Sequence, residues 1–236
     1  GYYLRDMVPE VALREGSAAL KRLREMSREM ALVTGLVEES ADHLFYNAGL
    51  YLDGGEICHT HRKVYLPTYG MFDEQRYFAR GRKVRAFDTR FGRGCLLICE
   101  DLWHPSTAYI AFQDGAALLI NLSCSPSRGI DREEKLAITE TWETLNQAYA
   151  KLFSQFVLFV NRVGYEDGVN FWGGSEILDP EGRVIAKAPY FEEGLTVGEL
   201  DLGTLRRTRI ATTLLRDEDL DLMLRELWRI HQEKNR

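Results

Sequence analysis

The residues with the most chemical potential lie in "GCLLICEDLWHPS", Gly94 to Ser106, where an apolar run ends in Cys99 and Glu100, Asp101 and Trp103 follow at once. A thiolate attacks carbonyl carbon well, but a thiol at neutral pH is mostly protonated. The chemistry therefore needs a base for the proton and a cation or dipoles for the negative charge. A strand end followed by a turn would expose the sulfur, and the backbone N–H of Glu100 would point near an oxyanion formed there. The same pattern also fits a structural thiol closing a buried strand, and alone such a cysteine is more often that. Cys95, on the same strand, is expected to be buried and inert. A cation is offered by Lys63 in "HRKVYLPTYGMFDEQRYF", where a proline and a loop rich in carboxylates and aromatics follow a strand end. Alone, a lysine there reads as a solvated charge. "CHTH" (Cys58, His59, His61) has no matching pair elsewhere and reads as ordinary strand rather than a zinc site. The chain carries no G-x-S-x-G elbow, no G-x-x-x-x-G-K-[ST] phosphate loop and no G-x-G-x-x-G after a strand.

The elements that must position these residues alternate in period. "EGSAALKRLREMSREM" (Glu15 to Met30) predicts an amphipathic surface helix, and "ALVTGLVEE" a strand after it. "LFYNAGLYLDGGEICHTHRKVYL" predicts a hairpin turning at Asp53-Gly54-Gly55, and "YGMFDEQRYFARGRK" a long irregular loop. "GCLLIC" and "AALLINL" read as buried strands. Between them "HPSTAYIAFQDG" reads as a helix with Pro105 in its first turn and Gly115 past its end. After the loop "SCSPSRGID", a helix is expected over about Arg132 to Ser154, then the strand "FVLFVNRVG". "SEILDPEGRVIAKAP" predicts two β runs about Asp179-Pro180-Glu181-Gly182, "LTVGELDL" one more strand, and the tail from Asp217 a charged helix carrying Leu220, Leu224, Leu227 and Trp228. No repeat, low-complexity tract or linker divides the chain.

With 236 residues, 45% hydrophobic and 28% charged, the chain is long enough to bury a substantial core. A net charge of −6, from 36 acidic and 30 basic residues, argues against a nucleic-acid partner. The longest apolar stretches are too short to span a bilayer, no secretory signal opens the chain, and four cysteines do not make a disulfide framework. A cytoplasmic location is the expectation.

Taken in order, "HRKVYLP", "YGMFDEQRYFARG", "LLICEDLWHP", "LLINLSCSP" and "NRVGYEDGVNFWGGSEILDPEGRVIAKAP" resemble the nitrilase superfamily of carbon–nitrogen hydrolases. The middle motifs are similar to the glutaminase domain of glutamine-dependent NAD synthetases. The resemblance covers Gly1 to about Leu202. It implies an α/β fold, an α-β-β-α sandwich of two mixed sheets flanked by helices. Residues 1–202 would form the hydrolase domain and 203–236 a C-terminal arm with a helix for dimer contacts. It implies Cys99 as nucleophile, Lys63 and the Glu100 N–H as holders of the oxyanion, and Glu74 as a supporting glutamate beside the lysine. Tyr69, Glu100, Trp103 and Ser125 match positions lining the substrate pocket. No metal and no cofactor is implied. The family's general-base glutamate sits in P-E-x-x-x-x-G-Y, and "GYYLRD" matches the end of that motif, so the glutamate is expected upstream of Gly1 together with a first strand and helix. Glu10 in "VPEV" follows no convincing strand and is a poor substitute.

The activity expected is hydrolysis of a small, glutamine-like amide through a thioester on Cys99, with release of ammonia. The alternatives are a catalytically silent binding or scaffold protein on this fold, and a nitrile-processing or acyl-transfer member. Expected partners are the small-molecule amide, further copies of the chain as a homodimer or larger homo-oligomer, and a separate synthetase chain.

Overall fold

A computed structural model describes residues 3–127 and 137–235. Two short N-terminal turns, the second a helical turn α1 (Val8–Val11), lead to helix α2 (Ala18–Met26). The helix is shorter than its periodicity suggests. Ser17 caps it, its side chain accepting from Leu20 N at 3.4 Å, and Ser27 ends it. Three antiparallel strands follow, β1 (Leu32–Glu39), β2 (Phe45–Asp53) and β3 (Glu56–Arg62), in the order β1-β2-β3. The two-residue turn between β2 and β3 needs positive φ at both positions, and Gly54 (+61°) and Gly55 (+86°) supply it. Leu20 of α2 packs on Leu50 and Leu52 of β2, so the helix covers the outer face of this sheet.

A loop containing one helical turn, α3 (Glu74–Tyr77), connects to the larger sheet. Its strands are β4 (Ala86–Thr89), β5 (Gly92–Ile98), β6 (Leu118–Ser123), β7 (Phe156–Asn161), and, after a separate hairpin of β8 (Val163–Glu166) and β9 (Val169–Trp172), β10 (Glu176–Leu178) and β11 (Val184–Lys187). The order is β11-β10-β7-β6-β5-β4, with β5, β6 and β7 parallel in the centre and antiparallel strands at both edges. Parallel neighbours require crossovers. Here these run through helix α4 (Pro105–Gln113) and helix α5 (Ala137–Phe153). Both helices pack on one face of the sheet, around Leu97, Leu119, Trp142, Tyr149, Val157 and Phe159.

The other face of the large sheet meets the small one. Gly49 of β2 allows this approach, since a Cβ there would stand 2.9 Å from Leu96 Cδ2. The layers are therefore helix, sheet, sheet, helix. The large sheet is mixed, as the resemblance implies; the small one is antiparallel in its ladders and takes a parallel bridge, Leu13 to Glu38, at its β1 edge.

The C-terminal part holds α6 (Leu202–Ala211), α7 (Leu214–Asp217) and α8 (Leu220–Lys234). Arg209 of α6 donates to Ala116 O at 2.6 Å and Ser154 O at 3.2 Å, tying this helix to the body, while α8 buries no residue. "LTVGELDL" is not a strand. Gly198 lies on the side chains of Ile177, Ile185 and Ala186, so the segment crosses the face of β10 and β11, where its backbone meets no strand edge to pair with. The β4 strand and the β8–β9 hairpin are additions to the sequence reading. The loop at 128–131, the expected helix start at 132–136 and the opening Gly1-Tyr2 lie outside the described residues.

Candidate active site

Strand β5 ends at Ile98, and Cys99 opens a tight 3-10 turn, Cys99–Trp103. Its φ of +47° is left-handed, a conformation that non-glycine residues adopt at an energetic cost and only where their surroundings impose it. Asp101 supplies much of that imposition. Its Oδ2 accepts from Ile98 N at 3.1 Å and contacts His61 Nε2 at 2.8 Å; its Oδ1 accepts from both Val64 N and Tyr65 N at 2.9 Å. One fully buried carboxylate thus holds the residue before Cys99 and the two residues after Lys63.

Lys63 follows the last residue of β3, its N–H donating to Asn47 O at 2.9 Å and its carbonyl accepting from Gly81 N at 2.8 Å. Its ammonium is almost fully buried (1% exposed) and donates to Glu74 Oε1 at 2.7 Å and Oε2 at 2.8 Å. Burial alone would drive the Lys63 pKa down, but Cys99, Glu74 and Asp101 outweigh it and hold the ammonium above its ordinary value. Burial pushes the Glu74 carboxyl up, while Lys63 pulls it back. Glu74 is presented by α3, whose first N–H donates to Pro67 O at 3.1 Å. Lys63, Glu74 and Cys99 line one cavity of 410 Å³, which Asn47, Cys124 and Arg162 also border.

Cys99 also borders a second depression, of 160 Å³. There the four residues expected to line the substrate pocket come together: Tyr69, Glu100, Trp103 and Ser125. Tyr69 Oη donates to the Glu100 carboxylate at 2.9 Å, and His104 Nε2 lies 3.9 Å from it. Trp103 meets Trp142 edge-on with ring centroids 5.3 Å apart, and Trp142 Nε1 donates to Ser125 Oγ at 2.9 Å. Asn161 Oδ1 accepts from Ser125 N at 2.9 Å and so fixes the loop after β6. The arrangement presents a sulfur at a strained turn, a buried ammonium on one side of it, and a carboxylate ringed by aromatics on the other.

Sequence reasoning did not single out Asp101, Asn161 or Trp142. Asp101 had a signal, an acidic residue two positions after the cysteine at the end of an apolar strand. The other two bond partners 36 and 17 residues away and carried none. Within "CHTH", His61 points inward to Asp101 while Cys58 is exposed, as alternation along a strand requires. Among the described residues no group of three His, Cys, Asp or Glu side chains gathers to hold a metal. Glu10 is exposed and borders neither cavity. Cys95 is buried, and that burial pushes its thiol up to about 12.

Comparison with known proteins gives this geometry a relationship. The profile described as carbon–nitrogen hydrolase matches residues 1–210. A glutamine-dependent NAD(+) synthetase from Thermotoga maritima is 31% identical over 208 residues, covering 86% of this chain and 34% of its own. An N-carbamoylputrescine amidase from Oryza sativa subsp. japonica is 26% identical over 219 residues, covering 88% of this chain and 72% of its own. The crystal structure of a carbon–nitrogen hydrolase from Helicobacter pylori superposes with a TM-score of 0.81 at 26% identity, over 89% of this chain and 75% of that one. The chain spans only 34 to 38% of the length of the first synthetase relatives it matches. No helix among the described residues is long and apolar enough to cross a membrane. With its sandwich of sheets and a family profile running through almost all of it, the chain belongs to the carbon–nitrogen hydrolase family.

Proposed function

We propose that the protein hydrolyses the C–N bond of a small, glutamine-like amide through a thioester on Cys99. The observation that carries this reading is the meeting, at one cavity, of Cys99 on its strained turn and the buried Lys63 ammonium held by Glu74. A general base takes the Cys99 proton as the sulfur attacks the amide carbonyl carbon. The oxygen takes up negative charge, which Lys63 Nζ and the Glu100 N–H stabilise; a buried cation and a backbone dipole are far more effective there than in water. The C–N bond then breaks, ammonia leaves with a proton from the general base, and water hydrolyses the thioester to the acid. The family resemblance implies a glutamate for that base. Glu100 with Tyr69 supports recognition of an amino group on the substrate, and Trp103 with Trp142 the packing of its carbon chain.

The synthetase relatives carry a region similar to this chain as about a third of their length, which supports a synthetase as recipient of the ammonia. The exposed stripe Leu220, Leu224, Leu227 and Trp228 on α8 supports pairing with a second copy. The charge pattern and four thiols support a cytoplasmic location.

The test is ammonia release from a panel of primary amides including glutamine, using protein that carries whatever residues are encoded ahead of Gly1. Turnover of one amide by the wild type and none by Cys99→Ala is expected. Turnover retained in Cys99→Ala overturns the assignment, and no turnover of any amide points to a silent scaffold.

A further inference from the structure

The cavity that holds Lys63 and Glu74 is bordered by two cysteines, Cys99 and Cys124, and the mechanism uses only the first. They leave neighbouring parallel strands. β5 and β6 run in register to Ile98 opposite Leu122; Cys99 is the first residue after β5, and Cys124 the first after β6. Adjacent strands lie about 4.8 Å apart, and a disulfide spans Cα separations of about 4.4–6.8 Å. The cysteines therefore follow the ends of adjacent strands, whose spacing is of the scale a disulfide spans, and both border the same cavity. The other two are placed differently: Cys95 is enclosed in the core under α4 and α5, and Cys58 is exposed on β3.

The two thiols are also close enough to interact electrostatically. Burial, and then the neighbouring Cys99, push the Cys124 thiol up.

We propose that Cys99 and Cys124 form an oxidative cross-linking site that takes a hydroperoxide as co-reactant. The Cys99 thiolate attacks a peroxide oxygen, the O–O bond breaks, and Cys99 becomes a sulfenic acid as water or an alcohol leaves with the proton. The Cys124 sulfur then attacks the Cys99 sulfur. The S–O bond breaks, and the hydroxyl departs as water with the Cys124 proton. Two thiols lose two electrons, and one peroxide gains them. A dithiol reductant reverses the step by exchange. The cross-link occupies the sulfur that the proposed hydrolysis needs and stops it short of the irreversible sulfinic acid. That consequence rests on the function proposed above; the cross-link itself does not.

The experiment treats reduced protein with a few equivalents of hydrogen peroxide and reads intact mass and proteolytic peptides. The expected result is a loss of about 2 Da, one peptide pair joined through Cys99 and Cys124, and recovery of the starting mass with dithiothreitol. In Cys124→Ala the loss is replaced by gains of about 16 and then 32 Da at Cys99, the second not reversed by dithiothreitol. Cys58→Ala behaves as wild type. Sulfinic acid at Cys99 in the wild type without a cross-link, or a cross-link through Cys58 or Cys95, overturns the proposal. Because mass is the readout, these outcomes are independent of whether any amide is turned over.

Discussion

Removing the Asp101 carboxylate tests how the site is held together. In Asp101→Ala three backbone N–H groups, of Ile98, Val64 and Tyr65, and the His61 ring lose their acceptor, a fully buried carboxylate. Each buried donor left unmade costs about 1–3 kcal/mol. Four donors sharing one acceptor are not additive, so we expect the low end of their sum, about 4 kcal/mol. Asp101→Asn separates the contributions. Its carbonyl can keep the Val64 and Tyr65 bonds, and its amide can donate to His61 once the ring shifts tautomer. Only Ile98 N–H is then abandoned, a loss of about 1–3 kcal/mol. Urea unfolding followed by tryptophan fluorescence reads both variants against the wild type, with the slope checked for constancy. A second readout is the rate of Cys99 alkylation in native buffer, which should change in both variants because the +47° turn loses its tie through Ile98. An Asp101→Ala loss below about 1 kcal/mol, or an Asp101→Asn loss equal to it, would refute the idea that this carboxylate clamps the two strand ends.

Lys63→Met is expected to lower amide turnover by about 10²–10³-fold, the usual effect of losing one oxyanion donor. It should also destabilise the fold by about 3–5 kcal/mol, because Glu74 is left buried without its cation. Lys63→Met/Glu74→Leu should recover much of that stability and none of the activity; if the double variant is less stable than the single, the pair is not what holds Glu74. A third prediction concerns acid stability. Burial, then His61 and Arg85, push the half-buried His59 down to about 4 from an ordinary value of 6.5. Between those values the unfolded chain takes up the proton and the folded one does not, so stability falls as pH drops through the window. Partial exposure keeps the effect to about 1 kcal/mol. His59→Phe, which keeps the stacking on Phe87, should flatten the urea midpoint between about pH 7 and 4; an unchanged slope would show that other groups set it.

The large features of the fold were legible because they depend on local rules. Alternation and apolar runs marked β1, β2, β3, β5, β6 and β7. Two glycines in sequence marked the β2–β3 turn, and Pro105 with Gly115 bracketed α4. The exceptions have a common cause. "LTVGELDL" has the composition of a strand, but it crosses the face of β10 and β11, and a strand is defined by its partner as much as by its residues. Strand β4 is only four residues long, and the β8–β9 hairpin carries Gly164 and Asp167-Gly168 within and between its strands, so neither announces itself before its pairing is known.

The sequence by itself determined which residue types were available and roughly where each stands along an element: a cysteine closing an apolar strand, a lysine after another strand, and a carboxylate loop behind it. It also carried enough ordered motifs to show which family they resemble. Only the tertiary structure decided what these groups do to one another. Whether Lys63 is a solvated charge or a buried ammonium depends on Glu74, 11 residues away, and on a sheet that closes over both. Whether Cys99 sits in a strand or on a left-handed turn depends on Asp101 reaching two strand ends at once. Electrostatics and hydrogen bonding fall off over a few ångströms in space, and separation along the chain says little about distances of that size until the chain has folded.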